Sequence, residues 1–294
     1  MTKPDPALIR AHEDRDMFQE AVSFTAAETG FSTRLVEKDY FCTVLLQDLA
    51  AAGALVFKGG TCLAKVHAEF YRLSEDLDFV IPTPCDAPRA ARSKQAAGLK
   101  RAVAELAKRL DVFRVIEPLA GANRSTQYVA IIGYESLLSR QQDRIKIEIG
   151  LREPLLTPVF NGAARTVLLN PVSGRPMVLP VSVPCISKTE AFAEKFRAAL
   201  SRREVAIRDF YDIDYAVRRL DLRPQDPVLI DLIRRKLAVP GNDRADVSPV
   251  RLAMLRQQLE PQLKPVLRSK DFAEFDLEQA IRIVVEMAER TSRA

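Results

Sequence analysis

The stretch from Leu55 to Ile81 constrains the fold most, because it has to change backbone type several times within one short run. Leu55-Val56-Phe57 is an apolar, β-branched and aromatic run, Lys58-Gly59-Gly60 stops it, and Cys62, Leu63 and Val66 then recur at helical spacing. This predicts a buried strand, a glycine turn and a short helix with Thr61 as its N-cap. The unbonded N–H groups and positive dipole end of such a helix suit an anion, most naturally a phosphate. Asp76-Leu77-Asp78-Phe79-Val80-Ile81 reads as the next strand, with Asp76 and Asp78 on one face and Leu77 and Phe79 turned to the core. Neighbouring carboxylates repel, and a divalent cation such as Mg²⁺ relieves that repulsion. Gly-Gly alone is an ordinary turn and Asp-x-Asp alone ordinary solvated surface. It is their order that is specific.

That order, Gly59-Gly60-Thr61 followed by Arg72-Leu73-Ser74-Glu75-Asp76-Leu77-Asp78, resembles the AbiEii/AbiGii toxin branch of the DNA polymerase β-type nucleotidyltransferases, which includes the mycobacterial MenT toxins. No G-x-x-x-x-G-K-[ST] P-loop is present. The resemblance implies an α/β (α+β) fold: a polymerase β-type nucleotidyltransferase core with a mixed sheet, followed by a helical C-terminal domain. Residue 62 is Cys where the family often has Ser, but Thr61 keeps the hydroxyl, so phosphate contact is expected to survive.

Two later segments extend the match. Glu190-Ala191-Phe192-Ala193-Glu194-Lys195-Phe196 and Arg208-Asp209-Phe210-Tyr211-Asp212-Ile213 resemble the family's C-terminal motifs, in which the lysine and the first aspartate are required for activity. The resemblance therefore implies that Lys195 grips a triphosphate and that Asp209 positions it or the nucleotide. By spacing alone, Asp209 lies at the edge of a buried stripe with Asp212 further round, and both read as ordinary charges. In Ile145-Lys146-Ile147-Glu148-Ile149 the isoleucines share one face and Lys146 and Glu148 the other. Glu148 is the candidate for the third carboxylate that this superfamily often carries on a later strand, and a Lys146–Glu148 surface pair is the alternative. The expected site is thus Asp76, Asp78, Lys195 and Asp209 for catalysis. Gly59, Gly60, Thr61, Ser74 and Lys195 are expected to bind the nucleotide, and Asp76, Asp78 and Glu148 the metal.

Length and composition bound the rest. A chain of 294 residues with 47% hydrophobic residues can bury a core in two domains, here expected as residues 1–184 and a helical 185–294 that contributes Lys195 and Asp209 to the cleft. No run approaches the ~20 apolar residues of a membrane span, and Met1 to Asp16 is too charged for a signal peptide. A cytoplasmic protein with no membrane contact is expected. Cysteines at 42, 62, 85 and 185 have no CxxC spacing and read as small buried hydrophobes.

Helices are expected over Pro6 to Thr29 and Ser32 to Ala52, with Glu37-Lys38-Asp39 as a solvated face. A further helix from about Ala87 to Leu110 carries seven basic residues, Arg89, Arg92, Lys94, Lys100, Arg101, Lys108 and Arg109. They suit either a nucleic-acid backbone or an ordinary solubilising face. The net charge of +5 is compatible with a nucleic-acid partner without requiring one. Strands are expected at Val112 to Ile116, Tyr128 to Ile132, Ile145 to Ile149, Arg165 to Leu169 and Met177 to Val183. Helices follow at Ser187 to Ser201, Val205 to Leu220, Gln225 to Val239, Val247 to Leu267 and Asp276 to Arg290.

Together these readings imply transfer of NMP from an NTP, with Mg²⁺ as cofactor and release of pyrophosphate. The resemblance points to the 3′ end of tRNA as acceptor and to an AbiEi-like antitoxin as partner. The alternatives are NMP transfer to a protein hydroxyl and a nucleotide-binding module without turnover.

Overall fold

The computed structural model describes residues 9–53 and 55–292, arranged as two compact units. The first unit ends at Cys185 but omits Leu155–Val159, which belong to the second unit together with Ile186 onward.

In the first unit, α1 (Arg15–Thr29) starts where the Asp14 side chain accepts the Met17 N–H, and it stops at Gly30 in the left-handed region, φ 79°. The expected start at Pro6 is corrected: Ala11–Glu13 is only a 3-10 turn, and residues 6–8 lie outside the described residues. α2 (Thr33–Ala51), capped by Ser32, is buried almost all round. Glu37, Lys38 and Asp39 are 2%, 4% and 2% exposed, which overturns the expected solvated face.

The sheet follows from the short strands β1 (Val56–Lys58) and β2 (Leu77–Val80), joined through α3 (Gly59–Cys62) and a five-residue wide turn, Leu63–His67. After β2 come α4 (Arg89–Ala104) and α5 (Leu106–Arg109), with the expected single helix broken at Glu105. Five strands complete the unit: β3 (Phe113–Ala122), β4 (Gln127–Glu135), β5 (Gln142–Gly150), β6 (Phe160–Ala164) and β7 (Val181–Cys185). Their order is β3-β4-β5-β2-β1-β7-β6. β1 runs antiparallel to β2 and parallel to β7, and β2 runs parallel to β5, so the sheet is mixed as the family resemblance implies. Arg165 to Leu169 forms no strand beyond a single bridge from Leu169 to Pro176. The edge strand is instead Phe160-Asn161-Gly162-Ala163-Ala164, whose sequence lacks β-branched residues. Gly162 is needed there, because a Cβ would meet Cys185 Sγ at 2.7 Å.

The basic helix is partly consumed by the fold. Arg92 is buried and donates to the carbonyls of Leu151 (3.0 Å) and Cys85 (2.9 Å), Arg109 grips both Asp48 oxygens (2.8 and 2.7 Å), and Lys100 lies over the Tyr128 ring. Arg89, Lys94, Arg101 and Lys108 stay exposed. Cys42, Cys62 and Cys185 are buried as expected, whereas Cys85 is exposed, in the proline-punctuated turn ahead of α4.

The second unit is helical: α6 (Lys188–Ser201), α7 (Ile207–Arg219), α8 (Pro227–Leu237), α9 (Pro249–Gln258), α10 (Ser269–Ala273) and α11 (Leu277–Ser292). The helix expected over 247–267 ends early and passes into irregular turns at Leu259–Val266, where Pro261 and Pro265 lack the N–H a regular helix needs. Glu190 fastens the outlying segment to this unit: its carboxylate accepts the N–H groups of Leu156 (2.9 Å) and Thr157 (2.8 Å) and the Thr157 hydroxyl (2.6 Å). Lys236 Nζ closes that carboxylate at 2.8 Å, both side chains being wholly buried. Among the described residues, no helix is long and apolar enough to cross a membrane.

Candidate active site

The site in the first unit grows from the register of three strands. Lys58 on β1 pairs with Asp78 on β2, and Asp78 pairs with Glu148 on β5, so the three side chains lie in one row across the sheet. Leu77 and Phe79 alternate with the aspartates and are fully buried, while Asp76 and Asp78 are half-buried.

The glycine turn lies directly against this row. Gly59 has φ 75°, and a Cβ there would stand 2.2 Å from Asp78 Oδ2; a Cβ on Gly60 would stand 2.5 Å from Arg72 Nη2 and 3.2 Å from Ser74 Oγ. Both positions therefore exclude a side chain, Gly59 for conformation as well as space. The helix begins at Gly59 and already includes Thr61, so Thr61 is not the expected N-cap. Thr61 is 1% exposed, and its hydroxyl donates to the backbone carbonyl of Asp76. Thr61 thus ties the turn to the start of β2, which corrects the expectation of a hydroxyl available for phosphate.

Electrostatics separate the carboxylates. Burial raises the Asp76 carboxyl above the ordinary range, against the pull of Lys38, of Lys146 and of a backbone N–H donated by Lys146. For Glu148 burial acts the same way but loses to Lys146, which lies 2.6 Å from Oε2, so its carboxyl falls below the ordinary range. Glu148 thus stands beside Asp78 in the row and is paired with Lys146. Among the described residues no group of three or more His, Cys, Asp and Glu side chains is arranged to hold a metal, so Asp76, Asp78 and Glu148 are not a ready-made cage.

Behind the aspartates lies a network that the sequence did not announce. Lys38 Nζ is 3.5 Å from Glu75 and 3.2 Å from Asp143, and Arg34 reaches the same two acids at 3.0 Å each. Glu37 accepts from the Ser136 hydroxyl (2.6 Å) and the Leu137 N–H (2.7 Å). A cleft of about 350 Å³ opens beside it, walled by Arg34, Glu37, Ser136 and Asp143 among others. Deeper still, Lys65 Nζ meets Asp39 Oδ1 at 2.5 Å and donates to the Thr43 hydroxyl (2.7 Å) and the carbonyls of Asp39 (3.0 Å) and Arg165 (3.3 Å). Asp39 Oδ2 accepts from the Thr166 hydroxyl (2.8 Å) and the Val167 N–H (2.9 Å). Only the run Glu37-Lys38-Asp39 in the middle of α2 signalled any of this, since Glu75, Asp143, Lys65 and Thr166 are all remote in sequence.

In the second unit α6 and α7 bring Lys195 to Asp209 and Asp212, 2.8 Å from an oxygen of each. The expectation that Asp212 lies further from the core is corrected: it is fully buried and Asp209 is 3% exposed. Arg202 Nη1 stands 3.2 Å from Asp209 Oδ2 without hydrogen-bond geometry. Burial would raise the Asp209 carboxyl, but Lys195 and Arg202 outweigh it and hold it below the ordinary range.

Comparison with known proteins agrees with this architecture. The model of the AbiEii family, nucleotidyl transferase toxins of type IV toxin–antitoxin systems, matches residues 44–282, so the chain belongs to that family of transferases. Among solved structures, the chain resembles MenT4, a nucleotidyltransferase toxin from Mycobacterium tuberculosis H37Rv (16% identity, TM-score 0.53, covering 94% of this chain and 90% of that one). It also resembles JHP933 from Helicobacter pylori (14% identity, TM-score 0.50, 90% and 94% covered). At these identities the likeness is one of fold. A search of curated proteins finds no match.

Proposed function

We propose that the protein transfers an NMP from an NTP to a hydroxyl acceptor, the 3′ end of a tRNA, with Asp76 and Asp78 at the reacting centre and pyrophosphate as the leaving group. The observation that carries this reading is the seating of Asp78 against the side-chain-free face of Gly59, in one row with Lys58 and Glu148. A backbone turn held this close to a carboxylate lets phosphate oxygens and a cation bound to that carboxylate meet.

In kind the donor set suits Mg²⁺: Asp76 and Asp78 offer hard carboxylate oxygens at the start of β2, as this cation takes beside substrate phosphates. When bound, the metal would neutralise charge on the phosphates and on the attacking oxygen. The residues do the rest. Gly59 and Gly60 let Asp78 and Arg72 pack directly against the turn, and Ser74, with its hydroxyl beside Gly60, offers a donor for phosphate oxygens. Lys58 adds positive charge beside Asp78. Thr61 and the buried Arg72 hold the turn in shape from beneath. For Lys195 and Asp209 the reading rests on the family motif: the lysine grips the triphosphate, and the aspartate, 2.8 Å from it, positions the triphosphate or the nucleotide. An antitoxin encoded beside this gene is the partner that the family implies. The exposed remainder of the basic helix, Arg89, Lys94, Arg101 and Lys108, supports a polynucleotide acceptor.

The test is incubation of the purified protein with Mg²⁺, total tRNA and each α-³²P-labelled NTP in turn, with Asp76→Ala as control. Label on tRNA that falls about a hundredfold or more in the folded variant is expected. Label on protein alone would replace the acceptor, and undiminished label with Asp76→Ala would end the assignment.

A further inference from the structure

α7 carries a second polar face, turned away from Asp209, on which Tyr211, Tyr215 and Arg218 recur at i, i+4 and i+7. With Arg219, Arg268 and Lys270 they wall a cleft of about 250 Å³ that lies wholly within the second unit. Tyr211 is its fully buried floor, packed edge-on against Phe275 with ring centroids 5.4 Å apart. The Tyr215 ring, 6.1 Å from that of Tyr211, is half-buried. The cations differ in how they are held. Arg218 Nε donates to the fully buried Asp214 at 2.8 Å, and Arg268 donates to Asp271, so acids of the wall anchor both. Arg219 and Lys270 are exposed and share Glu274, itself 49% exposed. Arg219 donates to the Glu274 carboxylate at 2.9 Å, Arg218 Nη1 stands 3.7 Å from it, and the Lys270 charge acts on it as well. A single solvent-facing carboxylate thus sits where three cations converge.

We propose that this cleft receives one unpaired nucleotide of an RNA strand, its base on the Tyr215 ring and its phosphate in the place of the Glu274 carboxylate among Arg219, Arg218 and Lys270. The inference rests on the reading of a polynucleotide acceptor and gives that acceptor a docking point in the helical unit. Exposed ion pairs contribute little to stability, so Glu274 yields readily to a stronger anion. Guanidinium groups match phosphate oxygens in a planar fork, and an aromatic ring stacks on any base. Asp214 and Asp271 stay with Arg218 and Arg268, so the wall keeps its shape when Glu274 gives way. The volume lies below the ~300–1,000 Å³ of sites that enclose a whole small molecule, which suits one nucleotide of a strand better than a free NTP. Asp209 meets Lys195 from another face of α7, so the cleft is a separate site from that pair.

The experiment is fluorescence anisotropy of the whole chain with a 5′-labelled RNA hairpin that ends in a short unpaired 3′ tail, and with the same hairpin blunt-ended, in the absence of NTP. Wild type is compared with Tyr215→Ala, Tyr215→Phe, Arg219→Gln and Glu274→Gln, with thermal melts as a folding control. Tyr215→Ala should weaken binding of the tailed RNA about tenfold, whereas Tyr215→Phe keeps the ring and should stay near wild type. Arg219→Gln should weaken it and lower the slope of log affinity against log salt by about one. Glu274→Gln should tighten it about fivefold, since a like charge beside the phosphate is gone. Tailed RNA bound equally by wild type, Tyr215→Ala and Glu274→Gln would overturn the inference and leave the polynucleotide acceptor standing. Binding abolished by excess ATP would overturn it in favour of a free-nucleotide site. A folded wild type that binds neither RNA would remove the polynucleotide acceptor and the cleft's role with it.

Discussion

Two lysines, one in each unit, show how similar chemistry serves different ends. Lys65 is fully buried and matched one to one with Asp39, and the remaining hydrogen-bonding capacity of the pair is taken up by Thr43, Thr166, the Val167 N–H and two carbonyls. Lys195 keeps 13% of its side-chain surface and faces two carboxylates, with Arg202 standing by at the rim. The first cluster is electrically closed, as a structural ion pair has to be when it is paid for in desolvation. The second sets two carboxylates against Lys195 and Arg202 and keeps its lysine within reach of solvent.

The largest effect that would test this contrast is on stability. Lys65→Met leaves Asp39 charged and buried and should cost about 3–5 kcal/mol, read as a shift in the urea unfolding midpoint; a variant as stable as wild type would deny Lys65 its structural role. Next comes Lys195→Arg, which preserves charge in a half-open setting. Nucleotidyl transfer is expected to fall about a hundredfold while stability stays within about 1 kcal/mol, since Arg cannot reproduce a compact ammonium. Equal losses of activity and stability would erase the distinction between the two clusters.

These clusters also mark what could be read from the chain. The glycine turn and the D-x-D strand were legible because their geometry is local: Gly59, Asp76, Asp78 and the buried Leu77 and Phe79 lie within one short segment whose periodicity fixes their faces. Glu148 was legible through alternation, although its contact with Lys146 competes with its register beside Asp78. Asp39 was not legible as a core residue, because its partners Lys65, Thr166 and Val167 are remote in sequence and nothing nearby announces them. The edge strand β6 was not legible, because pairing with β7, rather than its own Asn161, Gly162 and Ala163, makes it a strand.

Smaller effects sharpen the comparison through pH. The Asp209 carboxyl lies below its unfolded value, so its contribution to stability is present at neutral pH and is lost as pH falls through the folded value. Thermal melts between pH 7 and 3 should show the acid decline flattened in Asp209→Asn. Asp76 has the opposite sign: its carboxyl is raised, so its ionised form costs stability above that raised value. Without divalent ions, Asp76→Asn should melt about 2 °C higher than wild type at pH 7. A lower melting temperature would mean that Asp76 is held by its fold rather than strained by it.

The way the chain divides between its units bears on its synthesis. β1 finds its parallel neighbour only when Cys185 has been made, and Leu155–Val159 must wait for Glu190 to receive them. Lys195 and Asp209 arrive later still. Such long-range closure is slow compared with local helix formation, and a ribosome adds only about 5–20 residues per second. A nascent or prematurely ended chain that stops before residue 185 therefore has no finished sheet behind its aspartates. In a member of this family, nonsense mutations before residue 185 should leave no assembled site rather than a weakened one.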